Sequence, residues 1–428
     1  MRAAIDTLEA RSIEPSEYES FFRTACTAFG EEPRTTTMEA EQPAVEFDRS
    51  FVAFDGPTPV ATTAALTMDV TVPGGALLPM GGLSWVATLP GYTRRGLLTG
   101  LMRGQLRDMQ DRDEVIAGLW ASESTIYGRY GFGPSTWNLG FQVPKAHARL
   151  RESALHPAQP ASRGTVRLVE VEAARALLPR IYDQYGRADA GSLGRPHGWW
   201  HVHLADVEEH RDGGGPLYHA VHHGYETRAA DETHANPAGY VSYRIIQKWD
   251  QGIPRCTLRV EQLVASQPAV YADLWRYCLA IDLVETLAGA ARPLDEPLRW
   301  MIRDSRRLEA TKLSDALWLR PLRVQPCLEQ RSYAASGRVV LQIDDPFLGA
   351  AHGRYLLEAT PEGASCSRTR RAADLHMDVS VLASAYLGAV SYAGLAAAGR
   401  VIELRPGALA QADALFAVTR QPFCATDF

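Results

Sequence analysis

The run Ser84-Trp85-Val86-Ala87-Thr88-Leu89-Pro90-Gly91-Tyr92-Thr93-Arg94-Arg95-Gly96-Leu97-Leu98-Thr99 carries the residue types that hold a phosphate-bearing ligand. An apolar strand ends at Val86-Ala87-Thr88, a tight turn passes through paired arginines and a glycine, and a helix begins. Such a turn presents successive backbone N–H groups and a helix N-terminus to an anion. Gly96 admits close backbone approach, while Arg94 and Arg95 add charge-assisted contacts. A pyrophosphate fits this geometry. An ordinary strand-to-helix connection with solvated arginines is the plain alternative.

A second stretch follows: Trp120-Ala121-Ser122-Glu123-Ser124-Thr125-Ile126-Tyr127-Gly128-Arg129-Tyr130-Gly131-Phe132. A tyrosine followed by Gly131-Phe132, on a short helix after an apolar strand, resembles the second signature of GNAT-type N-acetyltransferases. In that superfamily the Arg/Gly turn cradles the acetyl-CoA pyrophosphate and the tyrosine protonates the departing thiolate. The resemblance therefore implies acetyl-CoA as co-substrate and Tyr127 as general acid. It places the cofactor against Val86, Ala87, Thr88, Arg94, Arg95, Gly96, Leu97, Leu98, Thr99, Ser122 and Glu123. A backbone N–H at residues 86–88, where the strand should splay, is the candidate for polarising the thioester carbonyl. The superfamily turn usually opens on Arg or Gln and closes on Gly or Ala; here those positions are Thr93 and Leu98. The backbone donors do not depend on them. Ser122, followed by Glu123 and Thr125, reads equally as a helix N-cap.

Over most of its length the chain resembles the Eis (enhanced intracellular survival) acetyltransferases. The matching features are Ser122-Glu123 with Ile126-Tyr127-Gly128-Arg129, Asp315-Ala316-Leu317-Trp318-Leu319-Arg320, and the ending Phe423-Cys424-Ala425-Thr426-Asp427-Phe428. That resemblance implies tandem GNAT folds, the N-terminal one active and the central one degenerate, followed by a sterol-carrier-protein-like domain. It also implies a homohexamer, aminoglycoside-type polycationic substrates acetylated at several amines, and a general base in the terminal carboxylate of Phe428. An α-carboxylate, with an ordinary pKa of about 3.5, is a poor base in water. Burial raises a carboxyl pKa and water can relay the proton. A tail ending on an aromatic anchor suits such docking, and a frayed end is the alternative. Glu31, Glu32 and Asp427 are candidates for attracting a cationic amine, against the reading of a solvated acidic face.

The elements that must position these groups alternate between strand and helix. A helix is expected over residues 17–29, strands over 50–54 and 59–68, a third strand ending at 88, and a helix over 95–109. A strand over 115–121, a short helix over 123–130 and a strand over 137–143 complete an α/β unit. A Pro- and Ser-bearing linker at 145–164 sets a boundary. A second α/β region opens with a strand at 165–169 and a helix at 171–182. Strands at 217–222, 238–246 and 259–265 follow, with a polar connection at 225–236 and a helix at 268–289. Its Ser266-Gln267-Pro268 connection has neither glycine nor an arginine pair, so it cannot repeat the phosphate turn. The remainder carries strands at 317–319, 338–343 and 354–358 and helices at 379–386 and 408–417. The expected fold class is thus α/β and α+β, in domains 1–148, 149–313 and 314–428.

Composition narrows the alternatives. The 428 residues are 46% apolar and 22% charged, with a net charge of −6, ordinary for a globular protein. Mixed charge opposes a nucleic-acid-coating surface and suits a cationic substrate. The first residues lack the apolar core of a signal peptide, and the uncharged stretch 379–399 is too rich in Ala, Gly and Ser for a membrane span. A cytoplasmic protein with no membrane partner is expected. The six cysteines are scattered, which reads as reduced structural thiols. Eight of the twelve histidines fall between His197 and His234, a pattern a metal hydrolase could use, yet without HExxH they read as surface and core residues and no metal is expected. Trp199, Trp200, Trp249 and Trp300 are candidates for a substrate-cleft wall or for core packing. Rival functions are a lipid- or sterol-binding carrier with a vestigial GNAT fold and a protein or peptide lysine acetyltransferase.

Overall fold

A computed structural model describes residues 9–151, 164–224 and 237–428 of the chain. The connection expected at 225–236, most of the linker at 145–164 and His234 lie outside the described residues. Contacts divide the chain into two compact units. One comprises everything before Trp137 together with Asp189–Val202 and Asp315–Phe428; the other comprises Trp137–Ala188 and His203–Ser314.

Among the described residues, the first unit contains a seven-stranded sheet built from β1 (Glu9–Ser12), β2 (Ser50–Asp55), β3 (Thr58–Thr71), β4 (Leu77–Thr88), β5 (Ile116–Trp120) and β6 (Gly133–Pro134). A strand from far along the sequence, Leu317–Pro321, is inserted between β5 and β6 and pairs antiparallel with both. β1 to β4 are antiparallel neighbours, whereas β4 and β5 are parallel and joined by the helix Leu97–Asp111. Helix α1 (Tyr18–Phe29) forms because Tyr18, Phe21, Phe22, Ala25 and Cys26 fall on one stripe, and it stops at Gly30, whose φ of +77° a glycine takes readily. That stripe packs on Val52, Phe54 and Ala64 of the sheet. Helix α2 (Leu97–Asp111) buries Leu101, Met102, Leu106 and Met109. Against it lie Leu83, Ala117 and Leu119 from β4 and β5. The short helix α3 (Ser124–Tyr127) follows β5.

The same unit holds a five-stranded sheet of Gly363–Arg368, Gly353–Thr360, Gly337–Asp344, Leu375–Asp378 and Val401–Glu403. The helix Val379–Tyr386 has every residue buried. The uncharged stretch 379–399 is therefore a core helix followed by a second one at Tyr392–Ala397. Among the described residues no helix is long and apolar enough to cross a membrane.

The second unit has its own seven-stranded sheet, in which Cys256–Ala265 and Val284–Arg292 form a parallel pair. Here the expected helix over 268–289 is corrected. The helix Pro268–Ala280 ends, Leu283 adopts φ +64°, and Val284–Arg292 is a strand. Its Ala- and Gly-rich composition, Ala288-Gly289-Ala290, carries little strand propensity; pairing with Cys256–Ala265 and Trp137–Pro144 decides its state. The helix His197–Ala205 carries Trp199 and Trp200 among its histidines, and its mixed pattern gives no helical period in the sequence. All six cysteines are buried free thiols.

Candidate active site

β4 and β5 pair from Met80–Ile116 to Leu83–Leu119, and there the ladder ends although β4 continues to Thr88. On its other edge β4 slips register against β3: Ala87 faces Thr62 while Ser84 faces Ala64, so β4 carries one extra residue. Trp85 absorbs that bulge with φ +49°, a left-handed conformation that costs a non-glycine residue about 1–2 kcal/mol. The Thr62 hydroxyl donates to its carbonyl at 2.8 Å, and its ring packs on Phe21 and Tyr18 with centroids 5.1 and 6.3 Å away. These contacts hold the strained bend. The backbone of residues 84–88 on the β5 side is thereby left outside the ladder, at the end of a sheet that has opened.

The arginine turn follows. Arg94 has φ +61° and Gly96 has φ +86°, and Gly96 occupies the N-cap of α2 with no side chain capping it. A helix start without a side-chain acceptor leaves N–H donors for another partner, and the helix dipole favours an anion there. Splayed strand, turn and α3 together enclose a cleft of about 890 Å³.

Val86, Ala87 and Thr88 line this cleft from β4; Arg94, Gly96, Leu97, Leu98 and Thr99 line it from the turn and the first residues of α2. Ser122, Glu123 and Tyr127 close it from the α3 side. Arg95 is not among the lining residues, and its guanidinium lies over the Tyr92 ring, 4.8 Å from the centroid. The N-cap of α3 falls on Glu123 without a side-chain bond, so the N-cap alternative for Ser122 is corrected. Sequence reasoning missed Phe29 at the end of α1, and also Tyr92, Arg129 and Tyr130, all of which line the cleft. Arg129 and Tyr130 come two and three residues after Tyr127 in the short helical stretch, a proximity that could have found them.

Tyr127 is 4% exposed and packs edge-to-face on Phe132 with centroids 6.4 Å apart. Burial pushes its phenol pKa above the ordinary value and the charge of Glu123 adds to this, while a hydrogen bond with Ser122 opposes it. The phenol is therefore protonated at neutral pH.

The C-terminal segment docks on the opposite face of the same sheet. Side chains alternate along β4: Gly81 and Leu83 face α2, whereas Met80 and Gly82 face away. A Cβ placed on Gly82 would meet the Phe428 ring at 2.9 Å. The Trp120 indole N–H donates to the Thr426 carbonyl at 2.9 Å, and that of Trp199 to the Asp427 carbonyl at 2.6 Å. Arg195 Nε donates to Thr426 Oγ1 at 2.9 Å, and its guanidinium stacks over Trp199 and Trp200 at 4.2 and 5.0 Å. The end of the chain is thus anchored by indoles and an arginine. Of the tryptophans considered for a cleft wall, Trp199 and Trp200 are buried, whereas Trp249 and Trp300 are 56% and 72% exposed.

None of the three acidic candidates is among the residues lining this cleft. Glu31 and Glu32 follow α1 on the surface, Glu32 pairing with Arg34 at 3.1 Å, and the Asp427 side chain is exposed. Two of the clustered histidines have polar partners: His219 Nδ1 lies 2.8 Å from Ser242 Oγ and His222 Nε2 lies 3.3 Å from Asp273. Among the described residues no group of His, Cys, Asp or Glu is gathered for a metal.

Family models agree with this architecture. Residues 9–135 and 191–324 each match a model described as an acetyltransferase (GNAT) domain, and residues 324–425 match a sterol carrier protein domain. An uncharacterized N-acetyltransferase of Streptomyces avermitilis is 36% identical over 97% of this chain and 98% of its own length. The N-acetyltransferase Eis of Mycobacterium tuberculosis is 32% identical over 94% of each chain. The crystal structure of Eis1 from Mycobacterium abscessus superposes with a TM-score of 0.83 at 30% identity, covering 98% of this chain and all of its own. The fold is therefore two GNAT domains followed by a sterol-carrier-like domain.

Proposed function

The chain belongs to the Eis family of GNAT-type N-acetyltransferases, and on that premise we propose that it acetylates amines of polycationic small molecules such as aminoglycosides, at more than one position. The GNAT fold implies acetyl-CoA, which supplies the acetyl group as an activated thioester. The observation that carries the reading is the coincidence, at one cleft, of an opened β4/β5 edge, an uncapped α2 N-terminus beside Arg94, and a buried Tyr127.

In this reading Arg94 and the N–H groups after Gly96 hold the pyrophosphate. A backbone N–H at residues 86–88 polarises the thioester carbonyl. The amine attacks as its proton passes to the Phe428 carboxylate, directly or through water. The C–N bond forms, the C–S bond breaks, and Tyr127 gives its proton to the departing thiolate. Phe428 and Tyr127 belong to opposite faces of the sheet at its opened end, which suits approach of the two substrates from opposite sides. The division into residues 1–148, 149–313 and 314–428, with catalysis in the first and the base supplied by the third, belongs to the same proposal, as do a homohexamer and a cytoplasmic location. Against the lipid-carrier reading stands the core of the five-stranded sheet, where the buried guanidinium of Arg331 lies 4.3 Å from the Phe416 ring centroid, beside Tyr333.

The test is CoA release by C-terminally untagged protein with acetyl-CoA and a panel of aminoglycosides beside a lysine peptide. Turnover on aminoglycosides with several acetyl groups per molecule by mass is expected. Turnover on the peptide alone would replace the substrate class, and failure to bind acetyl-CoA would overturn the reading of the cleft.

A further inference from the structure

Arg320, on the inserted strand Leu317–Pro321, is fully buried yet reaches two distant pieces of chain. Its Nη2 donates to both carboxylate oxygens of Asp345, at 2.9 and 3.0 Å. Its Nη1 donates to the Tyr130 carbonyl, at the exit of the turn that begins with Tyr127. The next residue, Gly131, has φ +87°, and a Cβ there would fall 1.6 Å from the same Arg320 nitrogen. The glycine is needed both for the turn and for the arginine's approach.

Two residues past Asp345 lies Phe347. Its ring meets Tyr130 edge-to-face at 4.9 Å, and the Arg103 guanidinium of α2 sits over the same ring, 4.6 Å from its centroid. Arg103 Nη1 also donates to the Phe347 carbonyl at 2.9 Å. Tyr130 in turn lies 3.4 Å from the Thr99 hydroxyl on the first turn of α2 and lines the cleft. The segment 345–347, contributed by the sterol-carrier-like domain, therefore bridges the helix whose start faces the cofactor cleft and the turn that carries Tyr127.

We propose that Arg320 is a positioning residue for catalysis: supported by Asp345, and together with Phe347, it fixes the turn from Tyr127 to Gly131 so that the Tyr127 hydroxyl stays aimed into the cleft. The proposal rests on the reading of Tyr127 as general acid. It gives the sterol-carrier-like domain a second role in the active site, separate from delivering the chain terminus. A bidentate guanidinium fork is required, because one nitrogen holds the carboxylate while the other holds the carbonyl. An ammonium cannot span both. Loss of the fork leaves Tyr127 attached to a turn free to shift, and misplacement of about 1 Å costs on the order of 10²-fold in rate.

The experiment compares Arg320→Lys, Phe347→Leu and Tyr127→Phe in the full chain, each checked for a cooperative thermal transition. Arg320→Lys and Phe347→Leu are expected to lower kcat at least about ten-fold while the KM for the amine changes less than about two-fold. The alkaline limb of kcat should also move to lower pH, because a loosened turn admits water to the phenol. Phe347→Leu keeps the buried ion pair and most of the volume, so it decides the matter alone if Arg320→Lys does not fold. Wild-type kcat and an unmoved limb in folded Phe347→Leu overturn the proposal. A slow Tyr127→Phe beside fast Arg320→Lys and Phe347→Leu removes the positioning role only, whereas a fully active Tyr127→Phe removes the acid and the positioning role with it.

Discussion

The indole N–H of Trp120 donates to the carbonyl of Thr426 at 2.9 Å, tying the last residue of β5 to a residue two places from the C-terminus. Trp199 holds the next carbonyl, and the Phe428 ring covers Gly82. The end of the chain is thus placed from three directions at the edge where β4 and β5 part. Adding one residue after Phe428 converts its carboxylate to an amide. General acid–base groups contribute about 10²–10⁴-fold, so kcat should fall by a factor of that order while acetyl-CoA affinity, measured by calorimetry, is retained. Trp120→Phe removes one hydrogen bond, worth about 1 kcal/mol, and should cost kcat less than the extension does. An extended chain as fast as the native one would exclude the terminal carboxylate as base.

Tyr127→Phe should lower kcat about 10²–10⁴-fold with acetyl-CoA binding intact. The sign of its pH dependence follows from burial, which disfavours the phenolate and raises the pKa above about 10. The acid form persists from neutral pH upward, so an alkaline loss of kcat assignable to this group must lie above pH 10. The Phe variant should lack that limb. A limb at pH 8 or 9 that survives in Tyr127→Phe belongs to another group.

What the sequence made legible and what it hid differ by range of interaction. The strand, arginine turn and helix of residues 84–99 form a local pattern, because a glycine and paired arginines must sit next to the helix they start. Tyr127 was legible for the same reason. The bulge at Trp85 was not: a tryptophan at φ +49° contradicts local preference and is held by Thr62, Tyr18 and Phe21 from other elements. Leu317-Trp318-Leu319 read correctly as a strand, yet nothing near it in sequence says that it enters the first sheet between β5 and β6. Trp199 was singled out only for a cleft wall or the core, and Arg195 not at all, because their partners Asp427 and Thr426 are over 200 residues away.

Arg94→Ala should act on affinity. Arg94 lines the cleft beside an uncapped helix start, so its removal takes away one charge-assisted contact of about 1.5–3 kcal/mol. The dissociation constant for acetyl-CoA should rise about ten-fold or more, and its salt dependence should weaken. The N–H donors stay in place, so kcat at saturating acetyl-CoA should change little. Unchanged affinity would move the phosphates to another part of the cleft.

His219 gives a stability prediction independent of catalysis. It is 2% exposed, and burial, with a further push from Arg244 and against the pull of Asp206, lowers its pKa to about 4 from the ordinary 6.5. The folded protein keeps the ring neutral where the unfolded chain protonates it. The stabilisation is complete above pH 6.5 and is lost as pH falls from 6.5 to about 4, amounting to about 3 kcal/mol. His219→Asn, which retains a partner for the Ser242 hydroxyl, should show a smaller fall in urea midpoint across that window. Equal falls in both proteins would place the proton uptake on other groups.

Gly82→Ala tests the docked terminus without touching it. The new methyl group would lie 2.8 Å from Met68 Sδ and 2.9 Å from the Phe428 ring, closer than real Cβ contacts. Both neighbours are side chains, so the fold can yield by moving them; the Met68 side chain is buried among Val70, Leu78 and Met80, which leaves the terminal ring the easier one to displace. The cleft lined by Arg94 and Tyr127 is on the other face of β4 and keeps its lining. Gly82→Ala should therefore lower kcat while leaving acetyl-CoA affinity within about two-fold, and Ala in place of Phe428 in the same background should not recover the rate, because the anchor is gone as well. If Gly82→Ala instead weakens acetyl-CoA binding at unchanged kcat, the strand has moved rather than the tail, and the terminus is not what sets the rate.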